Sequence, residues 1–210
     1  MNWASMFVFF VFMTTMFSVS GQSSPNPIIK SANSGNGSFA MADYYLNNTA
    51  VPSYNVNNLI SYQAIISYIM DNYKKVYISD VLSIAEHTVA ICEKYNMDPL
   101  FITALVSVES EFNKYALSSS GAKGLGQLMP VNLYGYKVSD PYDIHQNLQA
   151  TVRMVKELMD TWKGDTSYSL ASYFEGINAV KRKNGAPFSD KTTGYVSRVM
   201  NRYNSLKQYL

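Results

Sequence analysis

The sequence predicts an all-α domain. Three observations carry that reading. From Asn57 onward apolar residues recur at helical spacing, helix start and stop residues fall between those stretches, and no set of alternating strands is visible. The chain has 210 residues with a hydrophobic fraction of 47%, enough for one core of ordinary size plus extensions.

A first helix is expected from Asn57, with Leu59, Tyr62, Ile65, Ile66 and Ile69 on one stripe. A second carries Val81, Ile84, Ala85, Thr88, Ile91, Cys92 and Tyr95. Asp98-Pro99 opens a third, since Asp caps and Pro fits the first turn, and the pattern runs to about Phe112. A long loop region is expected over 114–142. The fourth helix spans about Asp143 to Trp162, with Leu148, Val152, Val155, Leu158, Met159 and Trp162 inward and Gly164 as its stop. A short helix covers about Ser167 to Glu175. The last runs from Asp190 to Gln208, with Val196, Val199, Met200 and Tyr203 inward.

Ahead of these helices, the apolar run from Met6 to Val19 is short for a membrane span and ends in a small-residue site, Ser18 and Ser20, before Gly21. It reads as a signal peptide over 1–20. No Lys or Arg precedes the run, so an uncleaved signal anchor is the alternative. Residues 21–56 are rich in Ser, Asn, Pro and Gly and read as a flexible linker. The domain order is thus leader 1–20, linker 21–56, N-terminal helix 57–75 and main domain 76–210.

Net charge is +2, too mild for the clustered basic face of a nucleic-acid binder. The one cysteine, Cys92, reads as a small buried hydrophobe. His87 and His145 belong to no metal spacing.

Glu109 is the residue of interest. It continues the stripe Ile102, Leu105, Val106 near the end of the third helix. Desolvation there and the negative end of the helix dipole both raise a carboxyl's pKa, which suits a general acid. Periodicity alone leaves a second reading open, a carboxylate whose head reaches water or a basic partner. Glu111 points elsewhere around the helix. Gly121, Gly124 and Gly126 follow in a loop whose backbone could approach a bulky ligand.

The stretch "ALVSVESEFNKYALSSSGAKGLGQLMP" resembles the catalytic core of the soluble lytic transglycosylases, a goose-lysozyme-like family. It holds the Glu-Ser pair (Glu109-Ser110) and then Gly124 to Pro130. "DPYDIHQNLQA", "LASYFEGINAVKR" and "TTGYVSRVMNRY" are similar to further family segments in the same order, over roughly 80–203. Where the family has Asn and Ala, this chain has Phe174 and Glu175. Gly126 stands where Met is frequent. Glu175 by itself reads as a solvated residue at a helix end.

The resemblance implies a lysozyme-like helical domain with a catalytic cleft, cutting peptidoglycan glycan strands between N-acetylmuramic acid and N-acetylglucosamine. It implies Glu109 as sole acid and base, giving a 1,6-anhydro product. Ser110 and Tyr195 would orient the substrate and Glu109, and Gly124, Gln127, Met129 and Tyr173 would line the cleft. No metal or organic cofactor is called for. The expected setting is periplasmic or secreted, with a secretion, conjugation or phage apparatus as partner. Membrane contact is expected only if the leader stays uncleaved. Two alternatives stand beside this. One is a hydrolase on the same fold, with Glu175 or Asp140 as second carboxylate. The other is a non-catalytic wall-binding component of such a machine.

Overall fold

A computed structural model of the protein describes residues 56–210. The leader and linker lie outside the described residues, except Val56, which opens the first helix. Among the described residues the chain forms α1 (Val56–Asn72), α2 (Ile78–Tyr95), α3 (Pro99–Ser110), α4 (Pro130–Gly135), α5 (Ile144–Thr161), α6 (Thr166–Glu175), α7 (Ile177–Lys183) and α8 (Asp190–Leu206). A single 3-10 turn, Lys207–Tyr209, follows. The described residues hold no strand, only two isolated bridges, Leu117 with Lys123 and Lys123 with Leu128. No helix among them is long and apolar enough to cross a membrane.

The centre of the fold is α3. Every residue from Leu100 to Ser107 is buried, because the segment is apolar on all sides and so must be surrounded. Asp98 caps it, accepting from the Leu100 and Phe101 amides at 2.8 and 3.4 Å, with Pro99 in the first turn. α8 lies along it over the greatest length, α2 and α1 also pack on it, and α5 packs on α2 and α6. Burial of these faces supplies the main drive to fold, at about 25 cal/mol per Å² of apolar surface.

α3 ends at Ser110, two residues short of the expected Phe112. Glu111 and Phe112 both take left-handed backbone, with φ of 50° and 63°. Non-glycine residues adopt this conformation at a cost, typically about 1–3 kcal/mol for a strained position. Burial of the Phe112 ring, packed edge-on against Tyr73 at 4.8 Å, offsets it.

α1 packs on α2. Its Tyr68 ring meets Tyr209 edge-on at 5.7 Å, and Asn72 donates to the Tyr209 hydroxyl, so the chain end is fastened to α1. Cys92 is fully buried in α2, and burial raises its thiol pKa far above the ordinary value.

α5 starts at the Asp143 cap, which accepts from the Gln146 amide at 2.8 Å. Its end is closed by Gly164 at φ +85°, whose amide donates to the Met159 carbonyl. The Trp162 indole donates to Ser172 of α6 at 2.8 Å and joins the two helices.

Two short helices were not foreseen. α4 lies inside the region expected as loop, and α7 follows α6 after one residue, Gly176, at φ +87°. The last helix keeps Val199 inward as expected but presents a shifted face. Thr192, Tyr195, Val199 and Leu206 are buried, while Val196, Met200 and Tyr203 are only half-buried. An inward polar pair, Thr192 and Tyr195, shifts the stripe that an apolar count alone selects.

Candidate active site

Glu109 is the second-last residue of α3, half-buried, with α8 packed along the same helix. The Tyr195 hydroxyl of α8 donates to its Oε1 at 2.5 Å. Burial pushes the carboxyl up from 4.5 to about 7, and the Tyr195 bond and the nearby Arg198 charge oppose the rise. The carboxyl therefore holds a transferable proton near neutral pH. The Tyr195 and Tyr173 phenols are raised well above their usual range, first by burial and next by the charge of Glu109. Both remain donors.

The glycine-rich loop is held from two sides, by Asn147 and by Tyr173. Asn147 of α5 is 1% exposed. Its Oδ1 accepts from the Gly126 amide at 2.8 Å, and its Nδ2 donates to the Pro141 and Lys123 carbonyls at 2.8 and 3.2 Å. Gly124 has φ +73°, and a Cβ there would lie 2.2 Å from both Asn147 Nδ2 and the Pro141 oxygen. A Cβ on Gly126 would lie 2.0 Å from the Thr151 hydroxyl. The loop thus rests directly on α5, which accounts for glycine where the family often has Met. Tyr173 of α6 donates to the Gly126 carbonyl at 2.6 Å and secures the loop from the other side.

The remaining sequence candidates fall as follows. Ser110 is half-buried beside Glu109, and its hydroxyl donates to the Val106 carbonyl of its own helix at 3.3 Å. The Gln127 amide nitrogen donates to the Ala116 and Gly124 carbonyls, so that end of the side chain stiffens the loop. Met129 is 39% exposed at the start of α4.

Glu175 is not the solvated helix-end residue expected from sequence. It accepts from the Thr192 hydroxyl and pairs with Lys183 at 3.0 Å, and these partners hold its pKa below the usual value. Asp140 is exposed and accepts from the Tyr142 amide within its own turn. Among the described residues no three of His, Cys, Asp and Glu form a group able to hold a metal.

Sequence reasoning missed Asn147 and Arg198. Asn147 carried a usable signal, because with Thr151 it puts polar residues four apart on the inward face of an amphipathic helix. Arg198 carried none, being an exposed residue whose relation to Glu109 exists only once α8 docks.

The all-α fold, with a half-buried glutamate at the end of its central helix, is of the lysozyme-like class. The chain belongs to the family described as "Transglycosylase SLT domain", which matches residues 88–196. A "Transglycosylase" of Enterobacteria phage PRD1 is 33% identical over 117 residues, covering 56% of this chain and 42% of the relative. A "Membrane-bound lytic murein transglycosylase F" of Desulfosudis oleivorans is 28% identical over 124 residues, covering 56% of this chain and 26% of the relative. The chain thus spans less than half the length of either curated relative. Two solved structures share the fold. An inactive glutamate-to-glutamine mutant of lytic transglycosylase Slt from Pseudomonas aeruginosa matches with TM-score 0.53 and 20% identity, over 70% of this chain and 29% of that one. The 70 kDa soluble lytic transglycosylase of Escherichia coli matches with TM-score 0.50 and 19% identity, over 80% and 34%.

Proposed function

We propose that the chain is a peptidoglycan lytic transglycosylase in which Glu109 acts first as acid and then as base. The observation that carries this is the half-buried Glu109 carboxyl, raised to about 7 and bonded to Tyr195. A group with a pKa near the working pH serves in both directions. Glu109 gives its proton to the glycosidic oxygen as the bond to C1 of the muramic residue breaks. The substrate's acetamido oxygen stabilises the electron-poor C1. The carboxylate, steadied by the Tyr195 hydroxyl, then takes the proton of the C6 hydroxyl as that oxygen closes on C1. Glu109 is reprotonated, no water is consumed, and a 1,6-anhydro end results.

Hydrolysis needs a second carboxylate to hold water. The two candidates are bonded elsewhere, Glu175 to Thr192 and Lys183, and Asp140 within its turn. This favours the single-glutamate route. The name of the Desulfosudis oleivorans relative supports murein as substrate, and the phage relative favours a phage apparatus among the partners considered. On this reading the chain works at the wall, in the periplasm or outside the cell, with its mature form starting near Gly21. Mass spectrometry of purified peptidoglycan after digestion is the test. Muropeptides with anhydro ends are expected, and reducing ends alone would make the enzyme a hydrolase.

A further inference from the structure

Phe174 and Glu175 replace the family's Asn and Ala, and both side chains are engaged. Glu175 accepts from Thr192, which is completely buried in α8. Phe174 lies parallel to Tyr195, with ring centroids 4.7 Å apart and planes 17° from one another. Thr192 and Tyr195 are three residues apart and share one face of α8. The end of α6 is therefore pinned to α8 at two adjacent points.

The stack covers one face of the Phe174 ring, yet the residue remains 45% exposed. A fixed aromatic ring thus meets solvent one stacking distance from the tyrosine that bonds Glu109. An ordinary core phenylalanine would be covered on both sides. A pyranose ring has a flat face of C–H bonds with its hydroxyls at the rim, and an aromatic face takes that surface by dispersion and desolvation. An asparagine would offer hydrogen bonds instead. Because the ring is already held, little further ordering is lost on binding.

We propose that Phe174 is a sugar-stacking platform that receives the apolar face of a glycan residue beside the scissile bond. It makes recognition there depend on ring shape rather than on a polar contact. The inference rests on the glycan-cleaving reading of Glu109.

The test uses the full chain carrying Glu109→Gln, so that bound strands are not cut. Phe174→Tyr should bind purified glycan strands within about twofold of that parent, and Phe174→Leu and Phe174→Asn about tenfold more weakly, a loss of about 1.4 kcal/mol. In the active chain the same substitutions should raise KM with little change in kcat. Binding by Phe174→Leu as tight as by Phe174 would overturn the platform. So would a loss confined to kcat, which would make Phe174 a positioning residue for Tyr195. As a check that does not depend on truncating the side chain, Phe174→Trp should change its emission when strands are added, and an unchanged spectrum would refute stacking. Failure of the enzymatic reading shows separately, as intact wall after digestion by the chain that keeps Glu109, while the binding series still reports on the platform.

Discussion

The Tyr195 hydroxyl donates a 2.5 Å hydrogen bond to Glu109 Oε1, joining two residues 86 apart in sequence. The bond favours the ionised carboxyl, whereas burial favours the protonated one. Their balance leaves the group at about 7, where neither proton donation nor acceptance is ruled out by the ground state.

Glu109→Gln removes the transferable proton and keeps the shape. On the proposed route both proton transfers depend on this group, so wall cleavage should fall by about 10⁴-fold, the upper end for acid-base catalysis. A variant with most of its activity would sink the assignment. Glu175→Gln should keep most activity, since its amide oxygen still accepts from Thr192.

The same substitution should reveal a linkage. Folding raises the Glu109 pKa from 4.5 to about 7, so between those values the native state binds more protons than the unfolded chain. The stability tied to the neutral form is complete below the lower value and is lost as pH climbs through the upper one. Gln stays neutral throughout. The melting advantage of Glu109→Gln should therefore grow between about pH 5 and about pH 8, towards an upper bound of about 3 kcal/mol. A difference that stays flat across that range would contradict the raised pKa.

Activity should decline as pH rises through about 7, because the protonated acid is lost. Tyr195→Phe removes the bond that lowers the Glu109 pKa, and Arg198→Gln removes a charge acting the same way. Each should move the declining limb to higher pH, as read in pH profiles of kcat/KM. A limb that moves to lower pH in either variant would show the sign to be wrong.

Much of this arrangement was readable before folding. The α3 stripe ending on Glu109, the Asp98-Pro99 start and the helix start near Asp143 are local features, each written in a few consecutive residues. The helical class followed from them. What escaped was set by tertiary contact. Helices of six or seven residues such as α4 and α7 are too short to show a period. The partners of Glu175 come from α7 and α8, and nothing local to Glu175 announces them. The inward face of α8 was misjudged because a buried threonine and tyrosine count as polar or ambiguous until their partners are known.

Asn147→Ala tests the loop anchor. It leaves the Gly126 amide and two carbonyls without their partner in a buried place. Unmet buried groups cost about 1–3 kcal/mol each, partly recovered by relaxation, so denaturant melts should show a loss of about 2–4 kcal/mol. A loss within error of zero would mean that other contacts hold the loop.

Gly126→Ala should destabilise by about 1–3 kcal/mol through overpacking against Thr151. Thr151→Ala removes the hydroxyl nearest the new methyl. The double variant should recover part of the loss, and purely additive effects would place the strain elsewhere.

Cys92 is the single thiol of the whole sequence and is sealed within α2. Alkylating reagents in solution reach it only when the helices around it separate. The molecule therefore contains its own clock for global opening, in which the labelling rate counts excursions of the core and needs no engineered probe. A cysteine introduced at exposed Tyr134 would instead react at once, so the two sites together would separate surface chemistry from unfolding.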